Sequence, residues 1–497
     1  MRTGSAFVNT TNFARRVCRR LNPIIRKDDY LRILGVFDGS YAFRGPEFVQ
    51  IDLTDYCNNT CLACWCNSPL LKEKKFSEEK PRHTMPLDMV KRLLDELVSM
   101  GTKEVAFSGS GEPFMHPDIM EILAYAKKKR FTCIVNTNFT LLDKDRLRSL
   151  ADLGIDFLTV SVWAASGKVY AHTHPGRSED DFNRIKENLI FLNSYKKEKP
   201  TLHLYNVIFN KNYFEFEEMI EFALKTHSEM VGFALVDTIP GSTDSLILNE
   251  GELLSVQEAC KRVKSRLDIF DRLKGSGLLC YGFVEFLRRV SDSIFARDAK
   301  YDKNIIDSLP CYNGWLFARV IPNGEVHSCL KAHRIPVGSL YKMNFSKIWN
   351  SPQQILFRRN TCVYRKNAPF FNLIGNDPEL GEAGCYKGCD DIGRNIHMHK
   401  KIKRLFLYEK VFLKSAAGLL KLARKARGAK FGTHEKAACL PVINTDSLIS
   451  IRRPLGKWIA LFFVSFLSFF YMTYVWILQY PKNELSMRTF RKPEKIS

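Results

Sequence analysis

The segment Ile51–Cys64, with the sequence IDLTDYCNNTCLAC, ends a short β-rich run and carries three closely spaced cysteines. Cys57, Cys61 and Cys64 stand at C-x3-C-x2-C spacing, so one compact loop can direct all three thiolates to one place. Thiolates are soft ligands that suit iron–sulfur clusters. Three protein ligands on a four-iron cluster leave one iron open to another molecule. The segment therefore predicts an open cluster site at the end of a strand.

Outward from this loop, residues 48 to about 240 alternate short β-rich runs with helical periodicity, which is typical of a parallel sheet covered by helices. The predicted strands are, approximately, Phe48–Leu53, Glu104–Ser108, Thr132–Asn136, Phe157–Val162, Leu202–Phe209 and Val231–Val236. Between the first two strands, Pro86–Met100 places apolar residues at helical spacing. We therefore expect an α/β fold of six β/α units, with functional groups at the carboxyl ends of the strands.

A glycine-rich loop, Ser108–Pro113 (SGSGEP), follows the second predicted strand. Glycines allow backbone groups to approach a ligand closely, and the carboxylate of Glu112 can accept hydrogen bonds from an ammonium group. Taken alone, the loop could also be an ordinary turn between a strand and a helix. Its position one strand after the cysteine loop favours a binding role.

Together the two loops resemble the radical S-adenosylmethionine (SAM) superfamily, over residues 45 to 240. The resemblance implies a partial (β/α)6 TIM-like barrel and a [4Fe-4S] cluster held by Cys57, Cys61 and Cys64. It also implies reductive cleavage of SAM to a 5'-deoxyadenosyl radical that abstracts hydrogen from a substrate. The family usually has an aromatic residue before the last cysteine, where this chain has Ala63, with Trp65 just after.

The resemblance also implies which residues contact SAM. Ser110, Gly111 and Glu112 would contact the amino group of its methionine part, and Asn138 and Ser161, at the ends of the third and fourth strands, would hold other parts of the cofactor. Simple hydrogen bonding at strand ends is the alternative for the last two. A further alternative makes Cys66 a ligand, either in place of Cys64 or as the fourth ligand of a structural zinc ion.

A second group of cysteines begins at Cys311. Cys311 and Cys329 stand in a C-x12-G-x4-C pattern whose glycine, Gly324, follows Pro322-Asn323 in a hairpin turn. This pattern resembles the SPASM or twitch module, which carries auxiliary iron–sulfur clusters. The resemblance implies one auxiliary [4Fe-4S] cluster held by Cys311, Cys329, Cys385 and Cys389, with Cys362 as a spare or substitute ligand. A zinc ribbon built from the same four cysteines is the alternative.

The net charge of +22 is concentrated near the carboxyl end. Residues 400–430 contain eleven Lys and Arg and one acid, Glu409, beside an apolar run rather than an aromatic-rich groove. We therefore expect an anionic membrane surface as a partner, not nucleic acid. Residues 403–430 have helical apolar spacing, which fits either an in-plane membrane helix or a solvated surface helix. Residues 458–481 carry no charge, which predicts a transmembrane helix at 456–481.

The expected organisation has seven parts. These are an N-terminal extension (1–47), the barrel (48–240), a helical connector (241–310), the SPASM/twitch-like module (311–395), a basic amphipathic segment (396–455), the membrane helix (456–481) and a basic tail (482–497). Four arginines between residues 15 and 20 interrupt any signal-peptide apolar run. We therefore expect a catalytic body in the reducing cytoplasm, associated with a membrane through its C-terminal region.

The sequence thus predicts a membrane-associated radical SAM enzyme of the oxidoreductase type, with flavodoxin or ferredoxin as electron donor. The expected substrate is a small molecule, a sugar or a lipid-linked compound, and the auxiliary cluster would assist oxidation or position the substrate. One alternative is an enzyme that modifies a peptide or protein, for which residues 1–47 look too short to form a separate recognition domain. The other is a non-catalytic metal-binding scaffold at the membrane.

Overall fold

A computed structural model describes residues 27–73, 75–292, 296, 299–364, 366, 369–375 and 384–429. The chain divides into two compact units. The larger unit is Gly39–Lys400, and the described part of the smaller unit comprises residues 27–38 and 401–429.

The larger unit is built on one ten-stranded sheet with the order β10-β9-β8-β1-β2-β3-β4-β5-β6-β7. The strands are β1 (Phe48–Asp52), β2 (Glu104–Ser108), β3 (Thr132–Thr137), β4 (Phe157–Ser161), β5 (Thr201–Ile208), β6 (Met230–Leu235), β7 (Leu279–Tyr281), β8 (Phe317–Val320), β9 (Glu325–His327) and β10 (Gly338–Ser339). Neighbours from β1 to β7 are parallel, and their carboxyl ends therefore lie along one edge. The predicted α/β fold is confirmed, and each of the six predicted strands ends within one residue of its observed limits.

The described residues form several α-helices, and those that connect the parallel strands of the larger unit cover its sheet. In chain order they are α1 (Lys27–Asp38), α2 (Leu87–Met100), α3 (Ile119–Lys128), α4 (Lys144–Asp152), α5 (Gly167–Thr173), α6 (Glu179–Tyr195), α7 (Phe216–Lys225), α8 (Glu250–Arg266), α9 (Phe283–Ser291), α10 (Lys303–Ile306), α11 (Asn313–Leu316), α12 (Phe345–Ile348), α13 (Pro352–Thr361), α14 (Ile392–Arg404) and α15 (Leu407–Ala429). Helix α2 is representative: Val90, Leu93, Leu94 and Leu97 recur at helical spacing and are all buried.

Strands at both edges extend the sheet beyond the six predicted units. At one edge, β7 pairs in parallel with β6, so the segment 241–310 contributes a strand as well as helices. At the other edge, β8 runs parallel to β1, and β9 and β10 continue the sheet in antiparallel order. Strands of two to four residues are too short to produce a periodic apolar pattern, so β7 was not predicted within the helical connector. The pairing of β8 with β1 places the segment that starts at Cys311 beside the first cysteine loop.

The smaller unit contains α1 and α15. The hydroxyl of Tyr30 on α1 donates a hydrogen bond to Glu409 of α15 at 2.7 Å, and Leu413 and Ala417 are buried. No helix in the described ranges is long and apolar enough to cross a membrane. The predicted membrane helix at 456–481 and the tail at 482–497 lie outside the described residues, so both stay predictions.

Candidate active site

The first cysteine loop follows β1 and is held by the connection between α5 and α6. The backbone nitrogen of Leu62 donates to the carbonyl of Thr173 at 3.0 Å, and the hydroxyl of Thr60 donates to the carbonyl of Pro175 at 2.7 Å. The guanidinium of Arg177 donates to the side chain of Asn59 at 2.6 Å. These contacts fix the loop at the carboxyl edge of the parallel strands.

Within this loop, Cys57, Cys61 and Cys64 are half-buried and close enough to influence one another. Burial and, to a smaller extent, the neighbouring Cys57 raise the pKa of Cys61 to about 12. The pKa of Cys64 is raised mainly by a hydrogen bond with Cys66 and by burial, with a contribution from Cys61. Metal binding requires the thiolate form, so loading of this site would release protons.

The glycine-rich loop after β2 lies directly against the cysteine loop. A Cβ atom at Gly111 would stand 2.3 Å from the carbonyl oxygen of Tyr56 and 2.4 Å from that of Thr54. The next backbone nitrogen, of Glu112, donates to the same Tyr56 carbonyl at 2.8 Å. Only glycine allows this close approach, so Gly111 joins the two loops into one structure.

The carboxylate of Glu112 is buried between β2 and β3. It accepts hydrogen bonds from the hydroxyl of Thr137 and the backbone nitrogen of Asn138, both at 2.7 Å, and from the backbone nitrogen of Phe114 at 3.2 Å. Burial raises the pKa of Glu112 to about 7, although these donors favour the anion. The group is thus a fixed acceptor whose charge a cationic ligand would stabilise.

The other residues expected to contact SAM differ in their surroundings. Ser110 donates to the carboxylate of Asp55 at 2.5 Å. The side-chain amide of Asn138 donates to Asn58 at 2.8 Å and lies 4.0 Å from the sulfur of Cys57. Ser161, half-buried at the end of β4, takes no part in this network among the described residues. Glu112 and Asn138 thus stand beside the cysteine loop, and Ser161 stands apart from it.

Two polar atoms next to Cys61 fit the presence of a cluster. In the described structure, Nδ2 of Asn59 and the hydroxyl of Tyr170 are buried and have no hydrogen-bond partner within normal distance. Asn59 lowers the pKa of Cys61, and the Cys61 thiolate raises the pKa of Tyr170, so both face this cysteine. Buried donors without partners are costly, and sulfur atoms of a bound cluster would accept hydrogen bonds from them. The donor set therefore fits an iron–sulfur cluster at this loop.

The second group of cysteines surrounds one cavity. Cys311, Cys329, Cys385 and Cys389 line it together with apolar side chains such as Phe371. Burial raises the pKa of Cys311 and of Cys385 to about 12, and the pKa of each of the four thiols is also raised by at least one of the other three. These buried thiols fit the cluster expected from the spacing. Cys362, at the end of α13, is not among the residues that line the cavity.

Asp302 holds the loop that carries Cys389. Its fully buried carboxylate accepts a hydrogen bond from the backbone nitrogen of Cys389 at 2.6 Å and forms ion pairs with Arg288 and Arg289. The backbone nitrogen of Asp302 donates to the carbonyl of Tyr386 at 3.0 Å. The connector between the two cysteine groups therefore also positions the second group.

Buried ion pairs join the two cysteine groups within the larger unit. Arg319 of β8 donates to Asp52, the last residue of β1, at 2.5 and 2.9 Å, and to the carbonyl of Leu330 at 3.1 Å. Lys331 forms a second ion pair with Asp237, just after β6. Leu330 and Lys331 directly follow Cys329, so both contacts tie the second cysteine group to the parallel strands.

The residues that link the loops and the two cysteine groups were not predicted from the sequence. Arg319 is the one charged residue in the otherwise apolar strand FARV of β8, and such an isolated charge could have signalled a buried partner. Asp55 lies two residues before Cys57, inside the quoted segment, and its proximity to Ser110 appears only in three dimensions. Lys331 and Asp237 carry no local signal because 94 residues separate them.

Two protein families match regions of the chain that contain the first cysteine group and part of the second. Residues 51–223 match the model of the radical SAM superfamily, and residues 311–369 match that of the SPASM iron–sulfur cluster-binding domain. Cys385 and Cys389 follow the second matched region. The chain therefore carries a radical SAM domain followed by a SPASM domain.

Individual relatives are similar to parts of the chain. Fe-coproporphyrin III synthase of Methanosarcina barkeri is 32% identical over 111 residues, which are 22% of this chain and 26% of that protein. PqqA peptide cyclase of Gluconobacter oxydans is 24% identical over 329 residues, or 63% and 79% of the two chains. The crystal structure of Streptococcus suis SuiB bound to the precursor peptide SuiA has a TM-score of 0.49 at 15% identity, covering 67% and 70%.

The class of protein follows from these matches and the site. The radical SAM domain implies a [4Fe-4S] cluster and SAM, and the SPASM domain implies auxiliary iron–sulfur clusters.

Proposed function

We propose that this radical SAM enzyme modifies a peptide or protein side chain. The longest of the matches described above, over 329 residues, is to a PqqA peptide cyclase, whereas the match to the porphyrin enzyme spans 111 residues. This comparison favours the peptide-modifying alternative over the small molecule, sugar or lipid-linked substrate expected from the sequence. Hydrogen abstraction without net oxidation is compatible with such a reaction, so the oxidoreductase assignment is not part of the proposal.

The proposed chemistry depends on the close contact at Gly111 between the first cysteine loop and the glycine-rich loop. In the proposal, Cys57, Cys61 and Cys64 hold the cluster, and Glu112 accepts the ammonium group of the cofactor. When bound, SAM supplies a 5'-deoxyadenosyl radical that takes a hydrogen atom from the substrate. Asn138 orients the loop through Asn58, and the surrounding apolar strands keep water from the reacting atoms.

The second site has a separate role in the proposal. Cys311, Cys329, Cys385 and Cys389 hold one auxiliary [4Fe-4S] cluster that positions the substrate or accepts an electron from it. The ion pair between Arg319 and Asp52 holds this module in a fixed position relative to the first cysteine loop. A flavodoxin or ferredoxin supplies the electron for the first cluster.

The test uses anaerobically reconstituted full-length protein. Wild type with reductant and SAM should form 5'-deoxyadenosine, and the triple variant of Cys57, Cys61 and Cys64 to Ala should form none while it keeps iron at the second site. Changing Cys385 and Cys389 to Ser should remove the auxiliary iron but leave 5'-deoxyadenosine formation. Deuterium transfer into 5'-deoxyadenosine from a labelled peptide, and not from labelled porphyrins or sugars, would support the substrate class; the reverse pattern would contradict it.

We also propose that α15 lies on an anionic membrane surface. Leu407, Val411, Leu419 and Leu422 are between 53% and 73% exposed on its outer face. Exposed Lys414 and Lys421 border this face, while the acid Glu409 is buried against α1. An anionic lipid surface offers both apolar and negative groups, whereas the uncharged run at 458–481 offers no charge to the lysines.

A further inference from the structure

Lys366 is a buried lysine in the wall of the cavity that the four cysteines of the second group line. Only 2% of its surface is exposed. Its side-chain nitrogen donates hydrogen bonds to the backbone carbonyls of Leu309 and Tyr364, both at 2.9 Å, and to that of Val363. A neutral amine has too few N–H bonds for three acceptors, whereas an ammonium group has one for each. The cavity wall therefore carries a fixed positive charge.

No ion pair compensates this charge. Asp391, which also lies near the cysteines, is paired with Arg394. Across the described parts of the chain, by contrast, Lys366 donates hydrogen bonds to backbone carbonyls only. The carboxylate of Asp307 accepts from the hydroxyl of Tyr386 at 2.9 Å and not from Lys366. A buried charge without an opposite charge in contact acts strongly on its surroundings, because little water is present to screen it.

The charge of Lys366 acts on two of the four cysteines. Burial raises the pKa of Cys311 and of Cys385, and Lys366 acts in the opposite direction on both. Burial likewise lowers the pKa of Lys366, and the same two thiols act against that change. The ammonium group thus stabilises negative charge on the sulfur atoms at this side of the cavity.

A cation at this place affects a cluster differently in its two redox states. An iron–sulfur cluster bound by four thiolates is an anion, and reduction by one electron makes it more negative. Its reduction potential depends on nearby charges, on hydrogen bonds to the sulfur atoms and on exposure to solvent. A buried ammonium group beside two ligand sulfurs stabilises the reduced state more than the oxidised state. The carbonyls that hold Lys366 keep this charge in place in both states.

We infer that Lys366 raises the reduction potential of the auxiliary cluster and makes that cluster a better electron acceptor. This inference deepens the proposed function, on whose second site it rests, and favours the electron-accepting role of the cluster over a purely positioning one. In that role the substrate radical loses one electron and one proton. The oxidised cluster gains the electron, and the solvent takes the proton.

The test measures the reduction potential of the auxiliary cluster alone. Change of Cys57, Cys61 and Cys64 to Ala removes the first cluster, so the EPR signal and visible absorption of the anaerobically reconstituted full-length protein report the second site. We expect Lys366→Gln in this background to lower the equilibrium constant for reduction roughly tenfold. This change is a potential lower by about 59 mV for one electron. At the midpoint potential of the parent protein, only about a tenth of the variant clusters should then be reduced.

Two further variants separate charge from shape. Glutamine at position 366 still donates hydrogen bonds to carbonyls but has no charge, whereas Lys366→Arg keeps the charge and should keep the parent potential to within about a factor of two in the equilibrium constant. Lys196→Gln is the matched control. The largely buried ammonium group of Lys196 also donates to a backbone carbonyl, that of Pro200 at 2.8 Å, but Lys196 does not line the cavity. It should leave the potential unchanged.

Equal potentials in the parent and in Lys366→Gln would overturn the inference. An equal decrease in Lys366→Gln and Lys366→Arg would also overturn it, because the effect would then come from shape and not from charge. Loss of auxiliary iron in Lys366→Gln would overturn it too, since it would make the lysine a support for the ligand loop. A parent protein that binds zinc and no iron at the second site would overturn the proposed auxiliary cluster together with the inference. The first three outcomes leave the proposed function intact.

Discussion

Gly111 has two backbone carbonyl oxygens in the space that any side chain would occupy. Gly111→Ala would force the loops of Thr54–Tyr56 and Ser108–Pro113 apart, because backbone atoms cannot move aside as a flexible side chain can. We expect iron bound at the first site to fall to less than about half, with a stability loss of roughly 1–3 kcal/mol. Gly393→Ala is the control, since a Cβ there meets no atom within 4 Å. Equal iron content in both variants would contradict the prediction.

The raised pKa of Glu112 predicts a specific dependence of stability on pH. Burial raises its pKa from 4.5 to about 7, so between these values the folded chain keeps a proton that the unfolded chain releases. The contribution of Glu112 to the stability of the metal-free protein should therefore fall as pH rises from 4.5 to 7, by roughly 3 kcal/mol, and stay level above. Glu112→Gln lacks this change. The thermal midpoint of Glu112→Gln should therefore rise relative to that of wild type between pH 5 and pH 7. If the midpoints of both proteins change with pH in the same way, the raised pKa is not that of Glu112.

Cys362 and Cys311 should behave differently although both belong to the SPASM region. Cys311 lines the cavity with three other thiols, and Cys362 does not. Cys311→Ser should lower the iron content by up to one cluster, whereas Cys362→Ser should leave the iron content and visible absorption of wild type. Iron loss in Cys362→Ser with retention in Cys311→Ser would reverse the ligand assignment.

At the scale of elements, α15 gives a prediction for lipid binding. Replacement of Leu407, Val411 and Leu422 by Ser removes apolar side chains from its exposed face without touching the buried contact with α1. We expect co-sedimentation with vesicles of phosphatidylcholine and phosphatidylglycerol to weaken at least about tenfold, since each side chain contributes on the order of 1 kcal/mol. Leu254→Ser on α8, where the leucine is 52% exposed, is the control.

Binding that survives in the triple variant would assign membrane contact to another segment. Equal binding of wild type to vesicles of phosphatidylcholine alone would contradict the role of Lys414 and Lys421. Added salt should weaken wild-type binding, because the lysines are exposed and their attraction to the lipid is screened.

Elements also differ in how far the sequence specified them. The first six parallel strands are short β-rich runs that alternate with helical periodicity, so each was predicted to within one residue. The hairpin predicted around Gly324 is confirmed by the antiparallel pairing of β8 with β9. The parallel pairing of β8 with β1 and of β7 with β6 escaped prediction, because each joins distant parts of the chain. The predicted helix at 403–430 is interrupted, since α14 ends at Arg404 and α15 begins at Leu407.

At the scale of the molecule, the ion pair between Asp52 and Arg319 couples the two domains. Both side chains are largely shielded from water, and removal of one partner leaves a buried charge alone. Asp52→Asn and Arg319→Met should each lower stability by about 3–5 kcal/mol and reduce iron at both sites. The double variant should lose less than the sum of the two, as measured by thermal unfolding and iron content.

The exposed pair of Glu217 and Arg262 provides the comparison. Its side chains are 29% and 58% exposed, and the same double-variant cycle there should give a coupling below about 1 kcal/mol. Additive effects at Asp52 and Arg319, with iron unchanged at either site, would mean that the pair does not couple the domains.

The amino-acid sequence by itself determined the parallel α/β units, the C-x3-C-x2-C loop after the first strand and the cysteines of the second module. These features depend on residues that are close together in the chain, so their periodicity and spacing can be recognised in the sequence. Only the tertiary structure decided that Cys385 and Cys389 share a cavity with Cys311 and Cys329 and that Arg319 forms an ion pair with Asp52. Such contacts arise from strand order and packing, which bring together side chains that no local pattern connects.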